Sequence, residues 1–188
     1  MLPSFINKGD FLLSLPTTAA EDHIFSRSVI LLAEYEEEGA IGFILNKPLD
    51  VEINTLISEI NANFTIYHGG PVEQDKVFFL HVRPDLIPNS IPINEHIYWG
   101  GDYDQVVHLI NSNQLEKDDI RFFLGYSGWN FDQLHNEIDD NFWIHLYDNI
   151  DYKKIFPTPS QTLWKSFIQE LGKEYSIWLN APENPDFN

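Results

Sequence analysis

The sequence predicts one α+β domain over residues 1–188, and three observations predict it. Short β-rich apolar runs recur between glycine and proline breaks, at 29–35, 40–46 and 77–82. Apolar residues return with helical spacing near 103–111, 131–139 and 159–171. Neither an internal repeat nor a linker composition divides the chain. With 43% apolar and 14% aromatic residues it is globular rather than disordered. Its length suffices to bury roughly 70% of the unfolded surface.

In chain order, residues 1–9 read as a lead-in. Residues 11–15 form a short apolar strand that Pro16 stops. The runs at 29–35 and 40–46 flank an acidic, glycine-bearing turn, Glu36-Glu37-Glu38-Gly39, and read as a hairpin with a solvated tip. Lys47-Pro48 closes the second strand, because the residue before proline is held extended. A short helix is expected over 54–60, with Leu56, Ile57 and Ile60 on one face. Strands follow at 64–68, ending at Gly69-Gly70-Pro71, and at 77–82. Three prolines make 83–96 a loop, and 97–99 is a short strand ending at Gly100-Gly101.

Asp102 or Asp104 suits the start of the 103–111 helix through the helix dipole, and Val106, Val107 and Ile110 face the core. The stretch 121–138 is the centre of the chain: an apolar strand over 121–124, a tight Gly125–Gly128 turn, and a helix from Asn130 with Gln133 three residues on. A strand at 142–147 comes next. Thr158, Pro159 and Gln161 read as N-cap, N1 and N3 of the last helix, which Gly172 ends. Residues 175–179 are expected as a final strand and 181–188 as a frayed tail.

The charge balance is acidic, 29 Asp and Glu against 11 Lys and Arg, a net of −18 with only three Arg. Such a surface repels nucleic acid and anionic membranes, so direct DNA binding is not expected; the charge serves solubility or, alternatively, attracts a basic or cationic partner. No apolar run nears the ~20 residues of a membrane span. The first residues do not read as a signal peptide, and cysteine is absent, so no disulfide, zinc–thiolate site or redox dithiol is expected. A cytoplasmic protein is the expectation. The seven histidines show no zincin spacing, so no metal or cofactor is expected. His81, at the end of an apolar strand, reads as a hydrogen-bonded core histidine, and Trp129, Trp143 and Trp164 read as core residues.

Several stretches together resemble a known family. They are Phe25-Ser26-Arg27-Ser28-Val29-Ile30-Leu31-Leu32, Gly42-Phe43-Ile44-Leu45-Asn46-Lys47-Pro48, Gly69-Gly70-Pro71-Val72, Trp99-Gly100-Gly101-Asp102, and Gly125-Tyr126-Ser127-Gly128-Trp129 with Gln133-Leu134 and Trp143. In order and spacing they are similar to the YqgE/AlgH family of bacterial proteins, over about residues 9–178. The resemblance implies an α+β fold with a strongly curved mixed β-sheet forming an open pseudo-barrel, helices packed outside. Members are often labelled transcriptional regulators, and the family carries no accepted catalytic or binding residues to transfer.

Three functions stay open from the residues. The first is a non-enzymatic regulatory or interaction protein with a protein partner. The second is a module for a small anionic ligand at the glycine turns and helix start: Arg27, Asn46, Lys47, Gly69, Gly70, Gly100, Gly101, Arg121, Gly125, Ser127, Gly128, Trp129 and Asn130. Free amides at 127–130 and the helix dipole would hold the anion beside one of the three cations. The third is a hydrolase using Ser127. Its surroundings depart from Gly-x-Ser-x-Gly, since Trp129 stands where the second glycine belongs. A serine that caps the following helix is the structural alternative. The glycine pairs fit no phosphate-binding fingerprint and suit turns or bulges.

Overall fold

A computed structural model describes residues 5–16 and 23–181, and the statements below concern those residues. Ten strands form one strongly curved, mixed sheet, a half-barrel with four α-helices packed against it. The strands are β1 (Phe11–Leu13), β2 (Val29–Glu36), β3 (Gly39–Ile44), β4 (Pro48–Glu52), β5 (Thr65–His68), β6 (Val72–His81), β7 (Ile91–Pro92), β8 (Tyr98–Trp99), β9 (Ile120–Trp129) and β10 (Ile144–Leu146). The order is β10-β1-β2-β3-β9-β6-β8-β7, with β5 inserted against β9 and β4 against β5. The β5–β9 pair is parallel and the others are antiparallel, which makes the sheet mixed.

Strand β9 is the spine. Its first half lies between β5 (Ile66↔Phe122) and β6 (Phe78↔Phe123), and its last residues pair with β3 (Gly42↔Ser127, Ala40↔Trp129). The 121–138 stretch is therefore central, as the sequence suggests, but it is not built as expected. The strand does not stop at Leu124. It runs ten residues to Trp129, and the turn into the helix is Asn130 alone. Gly125, at φ +67°, is a kink within the strand rather than part of a tight turn, and β6 loops out opposite it between Val72 and Val77.

The helices are α1 (Ile53–Leu56), α2 (Tyr103–Asn111), α3 (Phe131–Asp139) and α4 (Ser160–Glu170). Asp102 caps α2 and Asn130 caps α3, each side chain accepting the amide of the third residue on. The two faces of β1–β3 serve different helices. Phe11, Leu13, Leu31 and Phe43 meet Leu163, Trp164, Phe167 and Ile168 of α4. Leu12, Ile30, Leu32 and Ile44 meet Leu134 of α3 with Trp129 and Trp143. Val106, Leu109 and Ile110 of α2 cover Ile66, Ile120 and Phe122. Alternation along β2 and β3 thus supplies both cores at once.

Other expectations need correction. The helix over 54–60 is one turn, because Ile57 is already extended. The second hairpin strand does end before Lys47-Pro48, and the chain turns there into a further strand, β4, that pairs with β5. Thr158 does not cap α4. Its hydroxyl donates to Lys154 O (2.6 Å), and Pro159 sits at the cap with no side-chain bond. Residues 176–180 form a 3₁₀ turn, not a strand. Within the tail expected to fray, residues 182–188 lie outside the described residues, as do 1–4 of the lead-in; Ala181 O accepts from Arg27 Nη2 (2.6 Å).

Candidate functional site

The thirteen residues singled out from sequence fall into four places. Gly69 and Gly70 lie against the backbone of Gly125–Ser127, so close that a Cβ on either would overlap main-chain atoms there. These glycines permit two backbones to touch, a close-approach role that suits a glycine pair. Gly100 and Gly101, both at positive φ, form a separate corner where Gly100 O accepts the His81 ring N–H (3.0 Å). His81 is fully buried, and its other nitrogen accepts the Arg83 amide (3.1 Å), the hydrogen-bonded core histidine the sequence suggests. Burial lowers its pKa from 6.5 to about 4.

Arg27, Asn46 and Lys47 make a clasp. Asn46 Oδ1 accepts the Val29 amide and its Nδ2 donates to Arg27 O, both at 2.8 Å, while Lys47 Nζ donates to Ser26 O (2.6 Å). The clasp binds residues 26–29 to the end of β3. Arg27 itself, at φ +53°, lies over the Trp164 ring (5.5 Å).

Arg121 is elsewhere again. It is 5% exposed, donates to Leu45 O (2.8 Å) and Phe156 O (3.1 Å), and lies over the Tyr67 and Phe156 rings (4.6 and 5.1 Å). Along extended β9 it is roughly 20 Å from Ser127. The amides of 127–129 belong to a strand paired with β3, and the Asn130 side chain serves the α3 amides. Of the three cations expected beside an anion at 127–130, Arg27, Lys47 and Arg121, Arg121 is therefore placed away from those amides. The Ser127 hydroxyl, 1% exposed, donates to Gly69 O (3.2 Å) and caps no helix.

Ser127, Gly128 and Trp129 do line a cleft, of about 340 Å³, with Phe25, Phe142, Trp143, Leu15, Pro71, Gln133 and Glu137. Strand β9 brings Trp129 to it, α3 brings Gln133 and Glu137 one turn apart, and the residues after α3 bring Phe142 and Trp143. Trp143 stands edge-on to Phe25 (5.4 Å, 88°) and to Trp129 (5.9 Å, 84°). Both indoles are nearly buried, yet each needs an acceptor for its N–H. Glu137 Oε2 supplies both, at 2.8 Å from Trp129 Nε1 and 2.6 Å from Trp143 Nε1, and Gln133 Nε2 donates to Oε1 (2.8 Å). Glu137 is the one charged residue lining the cleft among the described residues. Phe142 is 63% exposed at the rim.

A second hollow, of about 380 Å³, shares Gly128 and Trp129 with the cleft and carries Glu34, Glu36 and Glu38 of the β2–β3 hairpin. The acidic tip thus abuts the aromatic cleft. Sequence reasoning missed Glu137 among 29 acidic residues. The signal available was its place on α3, four residues after Gln133, facing tryptophans that also need acceptors. It also missed Asp10, whose carboxylate is 2.7 Å from His145 Nε2 and joins β1 to β10 in a buried pair. Among the described residues, no group of three His or carboxylate side chains is placed to hold a metal ion, and no helix is long and apolar enough to cross a membrane.

Residues 11–176 match the family model described as DUF179, AlgH-like. A UPF0301 protein of Cytophaga hutchinsonii is 38% identical over 186 residues, 97% of this chain and 100% of that protein. A UPF0301 protein of Bacteroides thetaiotaomicron is 37% identical over 191 residues, 100% of this chain and 93% of that one. The solution structure of the AlgH protein from Pseudomonas aeruginosa is similar with a TM-score of 0.71 and 26% identity, covering 94% of each chain. A crystal structure of a Corynebacterium diphtheriae protein shares the fold at a TM-score of 0.72 and 22% identity, covering 95% of this chain and 94% of that one.

Proposed function

This chain belongs to the AlgH-like family, and we propose that it is a non-enzymatic regulatory or interaction protein that docks a basic segment of a protein partner in the Phe25–Trp129–Phe142–Trp143 cleft. The observation that carries this reading is the aromatic cleft with a single carboxylate in its wall. Aromatic faces attract a lysine or arginine head, most strongly where water is excluded. The three N–H groups around Glu137 hold its carboxylate in place without cancelling its charge. Glu34, Glu36 and Glu38 next door suit further basic residues of the same segment. The net charge of −18 draws such a partner from a distance and opposes DNA. Regulation in this reading runs through protein contacts, in the cytoplasm. The Ser127 hydroxyl proton is committed to Gly69 O, so the reading does not draw on serine chemistry.

The test is an NMR titration of the labelled protein with a lysine- and arginine-rich nonapeptide. Saturable shifts are expected at Gly128, Gln133, Phe142 and the indole N–H groups of Trp129 and Trp143. Glu137→Gln and Phe142→Ala should each weaken binding by about tenfold, equivalent to about 1.4 kcal/mol. Equal binding by a peptide with glutamate in place of each basic residue would overturn the reading.

A further inference from the structure

Arg121 poses a separate question. A guanidinium this deeply buried loses most of its hydration, and burial lowers its pKa. Buried cations are ordinarily paired with a carboxylate. Arg121 has no ion pair among the described residues; two main-chain carbonyls and two aromatic rings take its place. A guanidinium carries five N–H donors. Leu45 O and Phe156 O occupy one each, and the others have no acceptor among the described residues.

The same group lines a cavity of about 260 Å³ together with Lys117, Thr65, Thr158 and Ser160. Ser160 is the first residue of the eleven-residue α4, whose cap, Pro159, offers no side-chain acceptor to the leading amides. The positive end of that helix dipole therefore opens on the cavity that Arg121 lines. Asp118 is the one acidic residue of the lining. It is exposed, so water and salt screen its charge far more than they screen the buried Arg121. The Tyr67 and Phe156 ring centroids lie 4.6 and 5.1 Å from the guanidinium carbon, and a guanidinium edge suits the planar, paired bonds that carboxylates and phosphates accept.

We propose that the cavity formed by Arg121, Lys117, Thr65, Thr158 and Ser160 is a binding site for a small oxyanion, a phosphate or a carboxylate group, distinct from the aromatic cleft. Arg121 is the buried anchor, Lys117 the exposed cation at the mouth, and the Ser160 end of α4 the neutral donor surface. The anion supplies Arg121 with a directly bonded counter-charge, whereas Asp118 acts on it only through space.

The experiment titrates the labelled full chain with inorganic phosphate and, separately, with succinate, at constant ionic strength set by sodium chloride. The Arg121 Nε–H signal and the amides of Thr158, Ser160 and Gln161 should shift together and saturate. The anion that saturates at the lower concentration identifies the headgroup class. Two surface variants give opposite signs: Lys117→Ala should weaken binding several-fold, and Asp118→Asn should tighten it several-fold. Arg121→Lys should abolish saturation, and because that variant risks misfolding, the two surface variants decide the matter alone. Linear shifts that sodium chloride reproduces, or affinities that Lys117→Ala and Asp118→Asn leave unchanged, would overturn the site.

Discussion

His81 makes the fold sensitive to acid, and the size of the effect follows from its surroundings. The buried ring donates to Gly100 O and accepts from the Arg83 amide, which only the neutral form can do. Its folded pKa is about 4, chiefly because burial disfavours the cation. The unfolded chain titrates near 6.5. The folded value lies below the unfolded one, so the unfolded state binds more protons at intermediate pH. The contribution of His81 is then fully present above pH 6.5 and is lost as pH falls through 4. Integrated from pH 7 to pH 4, the loss is about 3 kcal/mol. His81→Gln keeps a donor and an acceptor but cannot titrate. Urea unfolding of both proteins at several pH values isolates the histidine, because the carboxylates are common to both. The wild-type advantage at pH 7 should shrink by about 3 kcal/mol by pH 4. Stability curves that run parallel from pH 7 to pH 4 would refute the argument.

Three further outcomes are expected. Gly125→Ala should destabilise by at least ~1–2 kcal/mol from its left-handed backbone alone, with added overlap at Val72 O and Gly70 O (2.5 and 2.7 Å), whereas Gly128→Ala should stay within about 0.5 kcal/mol; chemical denaturation of the two variants reads the contrast. Asn46→Ala strips the acceptor from the Val29 amide and the donor from Arg27 O, and should lower stability by about 1–3 kcal/mol with faster hydrogen exchange at Val29. Asn130→Ala removes the α3 cap and should cost about 1 kcal/mol, with fraying seen as loss of amide protection at Gln133.

Much of the fold is written locally. The 29–46 hairpin, α2, α3 and the body of α4 follow from apolar period and capping residues, and all three core tryptophans are buried as their size requires. What was illegible is set by partners distant in sequence. Gly125 reads as a turn because a glycine inside a strand and a glycine in a turn look alike locally; the approach of Gly69 and Gly70 decides between them. Extending β9 through Gly128 moves Arg121, one of the three cations the sequence offers to the start of α3, away from Ser127 and places it beside the start of α4. Glu137 was hidden for a related reason: on an acidic chain its only distinction is the two indole N–H groups that reach it, one from β9 and one from beyond α3. Pro48 marks the end of β3 locally, but that it also opens β4 depends on the edge of β5, which the local sequence does not show.

The docking of a basic segment is tested most directly by intermolecular nuclear Overhauser effects between the bound lysine- and arginine-rich peptide and the protein. Contacts from a lysine ε-methylene or arginine δ-methylene to the ring protons of Phe25, Trp129, Phe142 and Trp143 are the predicted result. Contacts confined to the Glu36–Glu38 tip, with the four rings silent, would contradict the account, since the acidic hairpin alone would then explain the attraction.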